Sequence, residues 1–276
     1  MTGGDNPGAI ADTTDTVSET AAVALHELLN GTGMPPSHGQ PLPPLWHWLA
    51  FLPRSRQEDL GPDGHPQASA PRDYPDYSRR MFAGARIWFP GVANVGQPLR
   101  RQSEIVSVNH KEGRSGALLF VTIEHRYEAD RQLVIREQQD IVYRPPSNPS
   151  AQPPDPDALT ESTWTWSWEL VAETTVLFRF SALTYNAHRI HYDRSYATDV
   201  EGYPGLVVQG PLQAIGLADV CRRHAGNRLK SFSFRALRPA FDGSSLQFRG
   251  RPGHDGIELA AFSESQGKTM EATATQ

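Results

Sequence analysis

The spacing of apolar and polar positions changes along this chain, and the changes divide it. Residues 1–15 are polar and glycine-containing with no apolar recurrence, which predicts a disordered N-terminus. From Thr16 to Leu29, Val17, Ala21, Ala22, Leu25 and Leu28 recur at helical spacing, and Thr16 and Glu19 stand at the separation of a capping box, so a helix is expected there. Pro and Gly interrupt regular structure over 31–44. PLPPLWHWLAFLP then gathers Trp46, Trp48 and Phe51 into a proline-bounded apolar cluster that must be buried against something. Residues 56–80 are rich in Pro, Gly, Asp and Ser and read as a long surface loop, either a lid over a site or a plain mobile connection. The runs ARIWFP, SEIVSVNHKEG, GALLFVTIEHRYEAD and RQLVIREQQDIVY alternate apolar with polar residues between Gly or Asp turns, the pattern of an antiparallel meander with one wet face.

Repeated prolines in PPSNPSAQPPDP preclude strand pairing and favour an extended connection. The expected division is therefore a first domain over 16–146, a linker over 147–160 and a second domain over 161–276. TWTWSWEL opens the second half as a strand with Trp164, Trp166 and Trp168 on one face, suited to core packing or to lining a cavity. A helix from Leu212 to His224 and strands in KSFSFRALRP, SSLQFRGRP, IELAAFSES and KTMEATATQ complete it. Each half offers a helix and several antiparallel strands, so the fold class is α+β with an internal duplication.

The 276 residues carry a formal charge of −5 with both signs interspersed, so the broad positive field of a nucleic-acid-binding protein is absent. Cys221 is the single cysteine, which excludes an intrachain disulfide and a cysteine-rich metal site. The first residues have neither a basic nor an apolar leader pattern, and no apolar run is long enough for a bilayer. A cytoplasmic protein with no membrane association is expected.

Polar chemistry is densest between Phe180 and Pro211, FSALTYNAHRIHYDRSYATDVEGYPGLVVQGP. Asn186, His188, His191 and Asp193 fall close together, and Gly202, Gly205 and Gly210 lead into the Leu212 helix. The His-x-x-His spacing lacks the further ligands of a catalytic zinc site, and no G-x-S-x-G, G-x-G-x-x-G or P-loop sequence is present. A histidine can remove and return a proton at neutral pH, an amide can orient water, and backbone N–H groups at a helix start can hold an oxyanion. Two histidines bonded within a polar loop for purely structural reasons would give the same spacing. Arg79, Arg80 and Arg86 bracket Met81 to Gly84 and suit either an anionic ligand or a solvated face.

YNAHRIHYDRSYA followed by EGYPGLVVQGPL resembles the hydratase motif of the MaoC-like hot-dog hydratases and dehydratases, most closely the double hot-dog subgroup that includes mesaconyl-CoA hydratase. LPPLWHWLAFLP, LGPDGHP, RRMFAGARIWF, KEGRSGALLFVTIEH and EQQDIVYR resemble that subgroup's non-catalytic first half. The resemblance implies two hot-dog domains, each an antiparallel sheet wrapped around a helix, with catalysis in the second. It implies reversible hydration of an enoyl thioester carried on CoA or acyl carrier protein, with no cofactor, no metal and two chains able to associate. The family's aspartate and histidine correspond here to Asn186 and His191, and Gly210 supplies the oxyanion donor. An amide cannot take a proton, so His191 would be the one strong base. Tyr185, His188, Val208 and Gln209 are the implied substrate-binding neighbours, Gln209 standing where the family often has histidine. Arg235 and Arg238 are candidate phosphate contacts, with surface salt bridging as the other reading. A hot-dog thioesterase and a silent thioester-binding module are the rival functions.

Overall fold

The computed structural model describes residues 9–66, 77, 79–113, 116–145, 163–226 and 228–276. The expected linker over 147–160 lies outside the described residues. One antiparallel sheet runs through the molecule, built from β1 (Ala9–Asp15), β2 (Arg79–Trp88), β3 (Leu99–Gly113), β4 (Gly116–Ala129), β5 (Gln132–Arg144), β6 (Trp166–Val171), β7 (Ser231–Ala236), β8 (Ser245–Gly253), β9 (Gly256–Ser263) and β10 (Gly267–Thr275). Its strand order is β1-β3-β4-β5-β2-β7-β10-β9-β8-β6. Read from each outer edge inward, the two halves have the same order, and β2 pairs with β7 at the seam through Ala85↔Phe234 and Ile87↔Phe232. A single cluster of buried side chains extends from Val17 to Ala274 across both halves.

Helix α3 (Gly210–His224) is the centre of the second half. Every residue from Leu212 to Cys221 is buried, as expected of a helix enclosed by a sheet, and α3 packs against β6 to β10. Gly216 lets it approach closely, since a Cβ there would lie 2.4 Å from the Phe248 ring. Trp168 stacks on Phe248 at 4.7 Å and donates its indole N–H to the Gly216 carbonyl, while Trp166 stacks on His224 and Trp164 meets Phe262 edge-on. The tryptophans thus serve packing. Cys221 is buried on the same helix, and burial pushes its thiol up to about 12.

Two segments differ from expectation. Residues 9–15 form β1, an edge strand paired with β3, rather than a disordered tail. A polar edge strand is held by its backbone ladder and by the Arg100 guanidinium, 2.5 Å from Asp12, so it needs no apolar period. Helix α1 (Glu19–Leu28) is capped by Ser18, whose hydroxyl accepts from the Ala21 N–H at 3.1 Å, so Thr16 is not the cap. Helix α2 (Thr174–Leu183) is an addition, with Leu177, Phe180 and Ser181 on its buried face, and α1 lies against it.

Candidate active site

The chain leaves α2 through Tyr185, whose φ of 51° turns it sharply into the polar loop. The Asn186 side-chain oxygen accepts from the His188 N–H at 3.1 Å, an Asx turn that fixes the next step. Arg189 and Asp193 pair at 2.7 Å, and Asp193 also accepts from the Tyr196 N–H, so this carboxylate organises the loop. Between them the short helical turn Arg189–His191 buries Ile190 and His191.

His191 is held from one side by its Nδ1, 2.7 Å from the Val207 carbonyl. A carbonyl only accepts, so Nδ1 carries the proton and Nε2 keeps its lone pair. Burial lowers the His191 pKa to about 4; the Val207 bond opposes this and the nearby His65 adds to it. The strand-like segment that supplies Val207 continues through Val208 and Gln209 into Gly210, the first residue of α3. Among the described residues, no acceptor stands opposite the Gly210 N–H. It therefore remains a donor at the positive end of a long helix.

The first half completes the site. Residues 61–66 dock on the polar loop: the Arg189 N–H donates to the Asp63 carbonyl at 2.8 Å and its guanidinium to Pro62 at 2.9 Å. Gly64 makes this contact possible, having φ of +88° and a position where a Cβ would come within 1.9 Å of the Ala187 carbonyl oxygen. The contact sets the His65 ring 4.2 Å from His188, whose ring is 5.3 Å from His191. His188 is driven well below the ordinary histidine range, first by burial and then by His65, His191 and Arg80. His65 is lowered to about 4 by burial and by the Arg80 guanidinium. All three imidazoles are therefore neutral at pH 7. No group of three or more His, Cys, Asp or Glu among the described residues is placed to hold a metal ion.

Phe82, on β2, borders the helix start, its ring and carbonyl lying 4.0 and 3.9 Å from where a Gly210 Cβ would be. It meets Phe234 at 5.5 Å and Trp48 at 6.0 Å, both edge to face. Trp48 is anchored by its indole N–H to Glu137, 2.9 Å away. Glu137 is fully buried and also accepts from His47, Tyr127 and Gln139. Burial pushes its carboxyl up, but the hydrogen bond and charge of His47, with His125 and the Gln139 hydrogen bond, outweigh this and hold it well below the usual range.

The structure thus brings Asn186, His188 and His191 into one loop and Gly210 to the end of the segment that holds His191. Tyr185 is exposed beside a surface depression lined by Leu52, Arg54, Ser55 and Arg56. Three other expected contacts have their side chains engaged elsewhere. Val208 packs in the core. Gln209 is fully buried and donates to the Leu177 carbonyl and Ser181 hydroxyl of α2, because the turn into α3 lies wedged against that helix. Arg235 pairs with Glu271 on the surface, since strand alternation puts it on the face opposite Phe232 and Phe234. Arg238 is half-buried just beyond β7, its backbone N–H bonded to the Thr269 carbonyl. Sequence reading had not singled out His65, Phe82 or Val207. The first lies in LGPDGHP, where only the glycine's close approach gives the histidine its place.

A duplicated antiparallel sheet closed around a central helix is the double hot-dog architecture. Among solved structures, a MaoC-like dehydratase from Phytophthora capsici matches with a TM-score of 0.70 at 14% identity, covering 98% of this chain and 96% of that one. A Mycobacterium tuberculosis protein described as a double hotdog fold matches with a TM-score of 0.60 at 13% identity, covering 98% and 95%. Residues 45–242 match the family model described as hydroxyacyl-thioester dehydratase type 2, and the chain belongs to that family of MaoC-like hydro-lyases. Mesaconyl-C(4)-CoA hydratase from Chloroflexus aurantiacus is 44% identical over 265 residues, covering 94% of this chain and 92% of the relative. No described helix is long and apolar enough to cross a membrane.

Proposed function

We propose that this chain reversibly hydrates a short enoyl-CoA of the mesaconyl-C(4)-CoA type, with His191 as the general base and acid. The observation that carries this reading is the fixed tautomer of a buried, neutral His191, whose Nε2 is left as the proton acceptor. In the hydration direction, Nε2 takes a proton from water oriented by Asn186, and the hydroxide oxygen bonds to Cβ. The electron pair of the double bond moves to Cα and onto the thioester oxygen, which Gly210 N–H and the α3 terminus stabilise. The imidazolium Nε2–H then returns its proton to Cα, so one water has added across the bond and the thioester is intact. Dehydration runs the same steps backwards.

Incubating the protein with mesaconyl-C(4)-CoA tests the reading through the enoyl absorbance. Its loss without release of free thiol is the expected result. Thiol release would identify a thioesterase, and binding without either change would identify a silent module. His191→Ala should reduce turnover by about 10² to 10⁴, the usual effect of a lost acid-base group. Wild-type turnover in that variant would dispose of the mechanism.

A further inference from the structure

The three arginines of the β2 region have different fates. Arg79 pairs with Glu201 at 3.1 Å, and Arg86 makes a two-pronged pair with Asp140 at 2.6 and 3.1 Å. The Arg80 guanidinium forms no hydrogen bond or ion pair with any described residue, although the residue is half-buried. Strand alternation places it on the same face as Phe82, the residue that borders Gly210. Its guanidinium is close enough to His65 and His188 to depress the basicity of both rings. A partly sheltered cation beside imidazoles, with its donor fork engaged by no described residue, is suited to an anion.

The anion's place on the substrate follows from what surrounds Arg80. His188, whose ring lies within reach of the Arg80 charge, is 5.3 Å from His191, the group that would activate water for Cβ. The phosphates of CoA are a whole pantetheine arm from the thioester and cannot reach this point while the thioester oxygen faces Gly210. The acyl part has only a few atoms in which to carry the charge. We infer that Arg80, with His65 and His188 beside it, is the residue that binds the carboxylate on Cβ of such an acyl group. This inference rests on the proposed function for the position of the thioester and for the substrate, and it deepens that reading to the residue that determines specificity. Phe82 and Trp48, which meet edge to face, add apolar surface on the same face, suited to a small alkyl substituent.

Binding of unreactive saturated thioesters separates the two proposals. Succinyl-CoA carries a carboxylate on Cβ and butyryl-CoA carries a methyl there, so the pair differs at the inferred contact alone. Calorimetric titration should show the wild-type protein preferring succinyl-CoA by at least about tenfold. Arg80→Gln should weaken succinyl-CoA by roughly 10-fold to 100-fold, the range for losing a charge-assisted contact, and butyryl-CoA by less than about threefold. Arg80→Lys keeps the charge without the fork and should fall between; it serves as the test if the glutamine variant does not give the wild-type circular dichroism spectrum. No preference in the wild type, or an equal effect of the substitution on both ligands, would overturn the inference. A preference lost in Arg80→Gln from a protein that hydrates no enoyl-CoA would uphold the carboxylate site and remove the hydration reading instead.

Discussion

The acid limb of the pH–rate profile is where the electrostatics of the site can be read directly. A free histidine titrates near 6.5, whereas burial holds His191 at about 4, a difference worth on the order of 3 kcal/mol in favour of the neutral base. At pH 5.5 an ordinary imidazole would be about 10% neutral, and one with a pKa of about 4 would be about 97% neutral. The free-enzyme limb of kcat/KM should therefore stay flat from pH 7.5 down to about 5 and fall only near 4. Stability moves sooner. His65, His188 and His191 are all lowered in the folded chain, so the unfolded chain binds more protons once pH drops below about 6.5. Their contribution to stability is fully present above that value and is lost progressively toward pH 4 and below. The assay is thus a rapid jump from pH 7.5 into each test buffer, with initial rates taken within seconds and a return jump to confirm recovery. An acid limb near 6.5 with full recovery would show that His191 is solvated like a free imidazole, or that another group is the base.

Other changes probe the supports of the site. Asn186→Asp should preserve or raise kcat, because a carboxylate can accept from the His188 N–H as the amide does and can also take a proton; Asn186→Ala should be milder than His191→Ala in the same steady-state assay. Gly64→Ala forces a Cβ to within 1.9 Å of the Ala187 oxygen at a positive φ, so kcat/KM should fall at least about tenfold and the unfolding free energy from urea titration should fall by about 1 to 3 kcal/mol. Unchanged activity would mean that the 61–66 loop is dispensable. Glu137→Ala leaves His47, Trp48 and Tyr127 without their shared acceptor and should lower stability by roughly 3 to 5 kcal/mol in urea unfolding.

How far each part could be read beforehand depended on how local its cause is. Strands β2 to β5 are announced by alternation between Gly or Asp turns, whereas β9 is buried over its last five residues and shows a short apolar run instead. β1 is held by backbone pairing and by Asp12–Arg100, neither of which leaves a periodic trace. α2 was hidden for another reason: TTVLFRFSAL opens with β-branched residues and runs straight into the polar loop. Within the site, Asn186 and His191 were legible because they lie on one short turn. Val207 contributes a backbone carbonyl, which any residue could offer. His65 reaches His188 only through the docking of Gly64 on Ala187, a contact between distant stretches of chain. Arg80 was recognisable as a cation, but only the partners of Arg79 and Arg86 show which of the three is left over.

Because the site is assembled across the β2–β7 seam, its two tasks sit in different copies of the duplicated unit. On the proposed reading the second copy carries the proton-transfer residues between Asn186 and Gly210, where a change strikes the reaction itself. The first supplies His65, Arg80, Phe82 and Trp48, of which His65 alone reaches the acid-base step, through its effect on His191, while the others belong to the proposed acyl site. Selection can rework that wall for a new acyl group while the chemistry is kept, so a copy that lacks the motif becomes the adjustable half of the enzyme. Divergence in such a lineage should therefore gather in the half that does no chemistry, and a change of diet would be written there first.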